Sequence, residues 1–251
     1  MKRLFSLCPV ALVGLLLSAC TSPAPTVAKA DRVVPAGFSA DVHAVFADGR
    51  GQDSARWPAP QPLFARDLSN ADLAPGTWAF NADGVLAPTR AATAPANGDL
   101  WTKASYGDFV VSLEFRAKEK SRSGVLLRTT DIADWLQHSL KVQILQGDEA
   151  APVHLVGAIC DVAAPARQVT ITPGEWYRYV ITAKGNKITV MLNNEEVNKV
   201  DLGQWKEAGK NPDGTANPFT TAYKDMTRAG RIGLQDDGTP IEFRNLFVEQ
   251  F

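Results

Sequence analysis

The chain has 251 residues, 45% of them hydrophobic, with 26 lysines and arginines against 27 aspartates and glutamates and a formal net charge of −1. The charges are mixed, without a basic stripe or a run of one sign, which argues against nucleic-acid binding. No phosphate loop, zinc-ligand spacing, nucleophile elbow or paired-acid strand motif of a two-carboxylate glycosidase is visible.

Residues 1–19 read as an address. Lys2 and Arg3 supply a positive end, and Leu4 to Leu17 is an apolar run too short for a membrane span. It ends in Leu17-Ser18-Ala19-Cys20, which resembles the bacterial lipobox. The resemblance implies cleavage before Cys20, lipid on that residue, and a membrane tether through it. Thr21 follows in place of an inner-membrane retention aspartate, so an outer-membrane anchor facing the periplasm is expected. On that reading Cys8 falls in the removed segment and Cys20 would carry lipid, which leaves Cys160 alone and the mature domain without an intrachain disulfide. Residues 20–61 read as a linker, Pro/Ala/Ser/Thr-rich at first. Within it, Val33, Val34, Phe38, Val42, Val45 and Phe46 hint at a short helix or strand, and His43 has no evident role.

From residue 62 to 251 the pattern is all-β. Trp78-Ala79-Phe80 and Val85-Leu86-Ala87 flank the turn Asn81-Ala82-Asp83-Gly84. Phe109, Val111, Leu113 and Phe115 alternate with Val110, Ser112, Glu114 and Arg116, the period of a half-buried strand. Gly124 to Arg128 and Leu140 to Ile144 alternate likewise. Tyr177 to Ala183, Ile188 to Leu192 and Glu196 to Val200 form a meander through tight turns. Gly230 to Asp236 and Ile241 to Phe251 are the last strands. Only Gly203 to Gly209 and Ala222 to Arg228 leave room for a helical turn. Short strands with regular turn punctuation predict a jelly-roll sandwich of two antiparallel sheets.

If the strands around residues 113, 126 and 142 share one sheet, their polar faces unite Glu114, Arg116, Arg128, Lys141 and Gln143 on one surface. Such a surface suits a polar ligand such as a sugar. The plain alternative is a solvated face on which Glu114 and Arg128 form an exposed cross-strand pair of little energetic weight.

Several segments together resemble the 3-keto-disaccharide hydrolase family of concanavalin A-like, LamG-like jelly rolls. They are Leu63-Phe64-Ala65 with Asp83 to Leu86, Tyr106 to Arg116, Ser123 to Arg128, and Val142 to Leu145. Gly157 to Asp161, Gly174-Glu175-Trp176, Gly230 to Asp236 and Phe243 to Leu246 continue the likeness to the C-terminus. The resemblance implies cleavage of 3-keto-glycosides. A base removes the C2 proton acidified by the C3 ketone, the C1 oxygen leaves, and water adds to the unsaturated sugar. A divalent metal chelated by the ketone and a neighbouring hydroxyl would hold the enolate oxygen.

Two positions depart from the family pattern. Lys141 stands where a glutamate is usual, two before the strand glutamine Gln143. Gln235-Asp236-Asp237-Gly238 has Asp237 where a histidine is usual, and Lys141 and Asp237 are candidates to pair across a groove. The catalytic candidates are Glu114, Lys141, Asp236, Asp237 and His138, the last as a stand-in for the missing histidine. The sugar-binding candidates are Arg116, Arg128, Gln143, Gln235 and Trp135, with Trp101 as a further stacking surface. His154 and Asp161 are weaker metal candidates, and Cys160 reads as a small buried residue. The departures keep a second reading open, a non-catalytic glycan-binding envelope lipoprotein.

Overall fold

A computed structural model describes residues 60–89, 98–147 and 150–251. The signal peptide expected over 1–19, Cys20 and the linker as far as residue 59 lie outside the described residues. Gln61, placed at the linker's end by composition, is already paired with Val248 in the strand Gln61–Pro62 (β1).

Thirteen strands are described. After β1 come Ala71–Asp72 (β2), Trp78–Phe80 (β3), Leu86–Pro88 (β4), Leu100–Thr102 (β5), Phe109–Ala117 (β6), Arg122–Thr129 (β7) and Leu140–Leu145 (β8). The rest are Trp176–Lys184 (β9), Lys187–Leu192 (β10), Glu195–Asp201 (β11), Arg231–Leu234 (β12) and Ile241–Gln250 (β13). They form two sheets. One has the order β11-β10-β9-β6-β13-β4-β3, with β1 also on β13; the other has the order β2-β5-β12-β7-β8. Every strand pairing is antiparallel. The predicted jelly-roll sandwich is the observed fold. Short 3₁₀ turns at Leu202–Gln204 and Tyr223–Asp225 overlap the two windows left open for them, but helical turns also occupy Trp135–His138 and Pro152–His154, where none was expected.

Alternation decides the core. Phe109, Val111, Leu113 and Phe115 of β6 and Phe243 of β13 face Val125, Leu127, Val142, Ile144, Ile232 and Leu234 of the second sheet, all fully buried. The period-2 pattern sends the intervening residues to the two outer faces.

The strands expected to share one polar face do not share a sheet. β6 lies in the larger sheet, between β9 and β13, while β7 and β8 lie in the smaller one. Glu114 and Arg116 therefore occupy the face opposite to Lys141 and Gln143. There Glu114 accepts from Arg178 Nη2 at 2.9 Å and Arg244 Nε at 2.6 Å. Arg116 pairs with Glu242 at 2.5 Å, and the Arg116 and Arg244 guanidiniums lie 4.6 and 4.1 Å from the Trp176 ring. Burial works against ionising Glu114, but the hydrogen bonds from Arg178, Arg244 and Asn245 outweigh it and hold its carboxyl below the usual range.

Arg128 also leaves the expected surface. It sits at a register shift between β7 and β12 with φ 53°, and it is buried. Such a bulge re-aims a side chain. Its guanidinium donates to Gly107 O at 3.0 Å, Gly185 O at 2.7 Å and Asp108 Oδ1 at 3.1 Å, clamping the smaller sheet to two loops of the larger one. Glu114 and Arg128 thus have separate partners. Replacing Arg128 by Met removes the donor from Gly107 O and Gly185 O, leaves Asp108 Oδ1 with the Gly185 N–H at 2.8 Å, and is expected to cost about 2–4 kcal/mol of stability in urea denaturation. A loss below roughly 0.5 kcal/mol, the level of an ordinary surface change, would contradict a clamping role.

Candidate active site

The outer face of the smaller sheet is a shallow trough, and its floor follows from register. Trp101 of β5 pairs with Gly233 of β12, Gly233 with Leu126 of β7, and Leu126 with Lys141 of β8. The four lie in one row across the sheet. A Cβ on Gly233 would sit 2.5 Å from the Trp101 ring, and one on Gly124 would sit 2.6 Å from Lys141 Cγ. Only glycine lets the indole and the lysine stem lie flat across the neighbouring strands.

Lys141 crosses this floor. Its ammonium lies 3.4 Å from Gln235 Oε1 and 5.8 Å from the Trp135 ring centroid. It makes no ion pair among the described residues, so the pairing with Asp237 considered from sequence is not formed. Asp237 lines the same cleft but spends Oδ1 on the turn, accepting from Thr239 N at 3.2 Å and Thr239 Oγ1 at 2.7 Å.

The far wall is a loop laid along the edge of β8. Gln143 N donates to Ala158 O at 2.9 Å, Gly157 N to Gln143 O at 3.1 Å, and Cys160 N to Lys141 O at 2.9 Å. Tyr179, fully buried on β9, reaches through the core, donating to Gln143 O at 2.6 Å and accepting from Gly157 N at 2.8 Å. Asn198 Nδ2 holds the loop from the other side through Gly157 O at 3.1 Å, Ala163 O at 3.1 Å and Ala164 O at 3.2 Å. The loop then presents Asp161, itself at φ 59°, whose Oδ1 lies 2.7 Å from His154 Nε2. This is the arrangement of a base held by a carboxylate.

Lys141, Gln143, His154, Gln235, Asp237 and Arg122 line one cleft of about 430 Å³. Gln143 is locked there, its Nε2 donating to Ile144 O at 3.1 Å and its Oε1 accepting from Cys160 Sγ at 2.9 Å. Burial, more than any other influence, pushes the Cys160 thiol up to about 11, so at neutral pH it is a protonated donor and not a nucleophile. The reading of Cys160 as a small buried residue stands.

Asp99, which sequence reasoning passed over, lies beside Gln235 one residue before the Leu100–Leu234 pair. Its Oδ1 accepts from Asp236 N at 2.8 Å. Burial is the main cause that raises its carboxyl to about 6; the Asp236 and Asp237 charges add to it, and the Asp236 N–H and Lys141 oppose it.

Of the candidates, the structure brings Lys141, Gln143, Gln235 and Asp237 together, with Trp135 over the lysine. It does not bring in Glu114, Arg116 or Arg128. Asp236 is buried at the strand end, with Oδ1 accepting from Gly238 N at 3.1 Å. His138 closes a single exposed helical turn, Trp135–His138, 3.9 Å from Asp134, and does not line the cleft. The histidine in the cleft is His154.

The description "3-keto-alpha-glucoside-1,2-lyase-like domain" matches residues 51–249. The chain belongs to this family. A protein of known structure from Parabacteroides distasonis ATCC 8503, described as a proposed glycosyl hydrolase, is 30% identical. The match covers 77% of this chain and 100% of that one, with a TM-score of 0.71. Two more proteins so described from the same organism share the fold at 18% and 23% identity and TM-scores of 0.58 and 0.53. Those matches cover 70% and 76% of this chain, and 84% of each of theirs. No protein of curated function matches the chain.

The metal that the family resemblance implies does not fit these donors. No group of three or more His, Cys, Asp or Glu side chains converges among the described residues. His154 and Asp161 are turned on each other, Asp99 is engaged by the Asp236 N–H, and Cys160 is protonated. A lysine ammonium, which repels a cation, stands in the same cleft.

Asp99 makes the site pH-sensitive. Between about pH 4 and pH 6 the folded state keeps a proton that the unfolded chain has lost, so this group's contribution to stability falls as pH rises through that window. Asp99→Asn keeps the acceptor for Asp236 N. It is expected to flatten that slope and to be more stable than wild type above pH 6 by about 1–2 kcal/mol. Urea denaturation at pH 4 through 8 checks this, and parallel curves for the two proteins would contradict it.

Proposed function

We propose that the protein cleaves 3-keto-glycosides by C2 proton abstraction, elimination at C1 and hydration. The observation that supports this most is the meeting, in one cleft, of a carboxylate-held histidine and a lysine ammonium, with the Asp99 carboxyl, raised to about 6, close enough to feel the lysine charge. Elimination needs a base, a cation at the forming enolate and a proton for the leaving oxygen, and the three groups match those needs one to one.

With Nε2–H donating to Asp161, His154 keeps its Nδ1 lone pair as the base for the C2 proton. Lys141 stabilises the C3 oxygen as the C2–H electrons move into the enolate. The enolate then collapses to a C1=C2 double bond, the C1–O bond breaks, and protonated Asp99 donates to the departing oxygen. Water adds with its hydroxyl to C1 and a proton returned to C2, giving a 3-keto-sugar and a free alcohol. Gln143, Gln235, Asp237 and Arg122 offer polar groups to the ring hydroxyls. Lys141 in this role takes the place of the metal that the resemblance implies. A lipid on Cys20 would tether the domain to the outer membrane on its periplasmic side, within reach of imported glycosides.

Free sugar release from a 3-keto-disaccharide by the purified full-length protein tests this reading. Lys141→Met is expected to lower kcat/KM about 10²–10³-fold. His154→Gln is expected to lower it about 10²–10⁴-fold. Tight calorimetric binding of glycans with no turnover in any variant would instead select the glycan-binding reading.

A further inference from the structure

Beside the polar cleft, across Lys141 and Asp99, lies a second one of about 610 Å³ with a different lining. Its walls include Trp101, Trp135, Leu73, Ile132 and Leu136, with Asp72 and Asp99 as its charged groups and Asp72 paired to Arg231. Ile132 and Leu136, 38% and 65% exposed, are the only exposed large hydrophobic residues among those described. A soluble surface rarely concentrates such residues without a ligand or partner to cover them.

The lip that carries them is held in place. Asp131 Oδ1 accepts from Ala133 N at 2.9 Å, and Ser139 Oγ donates to Trp135 O at 2.9 Å. Gln137 Nε2 donates to Pro218 O at 2.9 Å, and Gln137 Oε1 accepts from Thr220 N at 2.9 Å. A rigid apolar lip is a pre-organised wall, which lowers the cost of covering it.

Position identifies the occupant. Trp135 lines this second cleft, and its ring lies 5.8 Å from the ammonium of Lys141, which lines the polar one. Asp99, the acid for the departing oxygen, lines the apolar cleft. We propose that this cleft is the aglycone subsite, and that the substrates are 3-keto-glycosides whose leaving group is an aromatic alcohol, not a second sugar. The inference rests on the reading of Lys141, His154 and Asp99 given above. Two tryptophans and three aliphatic side chains fit a flat apolar ring. Asp72 in this cleft is already paired with Arg231, and a second sugar would set its other hydroxyls against Leu73, Ile132 and Leu136, which offer them no hydrogen bond.

Benzyl and methyl 3-ketoglucosides release alcohols of similar acidity, so comparing them isolates the aglycone contact. The full-length protein is expected to show kcat/KM at least about tenfold higher for the benzyl compound. Leu136→Ser, at an exposed position that folding does not need, is expected to bring the benzyl value down towards the methyl value. Equal rates for the two glycosides, or faster cleavage of a 3-keto-disaccharide, would overturn the aglycone assignment and leave the lyase reading intact. If neither ketone is cleaved, calorimetry with unoxidised benzyl and methyl glucosides decides. Tighter benzyl binding that Leu136→Ser removes upholds the subsite while the lyase reading falls, and equal or absent binding overturns the subsite too.

Discussion

The Tyr179 hydroxyl is the contact on which the site most depends. It leaves a core strand of the larger sheet, passes between the layers, and ends between Gln143 O and Gly157 N. Burial raises its pKa far above the usual value, so it remains a donor under all ordinary conditions. Through it the rigid sandwich sets the position of a loop that would otherwise be surface chain. The loop's backbone extends β8 by one irregular strand and covers its edge. Cys160 and Asp161 follow from that placement, and with them the orientations of Gln143 and His154. The polar cleft is thus positioned by a buried hydrogen bond that belongs to neither the cleft nor its substrate.

The two outer faces of the sandwich solve different problems with similar residues. On the larger sheet, Glu114, Arg116, Arg178, Glu242 and Arg244 pair with one another around Trp176, and their charges are largely spent internally. On the smaller sheet, Lys141 has an amide and an aromatic ring for neighbours and no carboxylate within ion-pair distance among the described residues. An ammonium so placed is free to meet an oxygen that gains charge during a reaction, in a trough where partial desolvation strengthens the interaction. The glycines at 124 and 233 matter for the same reason. They keep the floor low, so that the lysine stem and the Trp101 ring lie along the sheet and leave the space above them open.

Much of this was legible in the chain. Period-2 alternation predicts β6, β7 and β8, the meander from β9 to β11 and the closing pair, and hence the sandwich. Gln143 and Gln235 carry the resemblance, Lys141 and Asp237 depart from it, and the four do converge. What alternation does not carry is sheet membership. β6 is followed directly by β7 in sequence, yet β6 pairs with β9 and β13, and β7 with β8 and β12. Chain neighbours in a jelly roll cross between layers, so two polar faces that look continuous in sequence point in opposite directions. Asp99 gave no signal beyond its place next to Leu100 and Trp101. His154 stood out less than His138 because a loop residue's direction depends on what anchors the loop.

The amino-acid sequence by itself determined the all-β class, most strand positions and the identity of the family, because side-chain period and turn chemistry are local properties. The tertiary structure decided which charged residues meet. It turned Glu114, Arg116 and Arg128 into framework, since strand pairing partners and a bulge at Arg128 place their side chains away from the trough. It joined His154 to Asp161 and set Asp99 beside Asp236 and Lys141, contacts that depend on distant strands brought together by burial of the common core. The raised Asp99 carboxyl follows from that burial, and no property of the local sequence contains it.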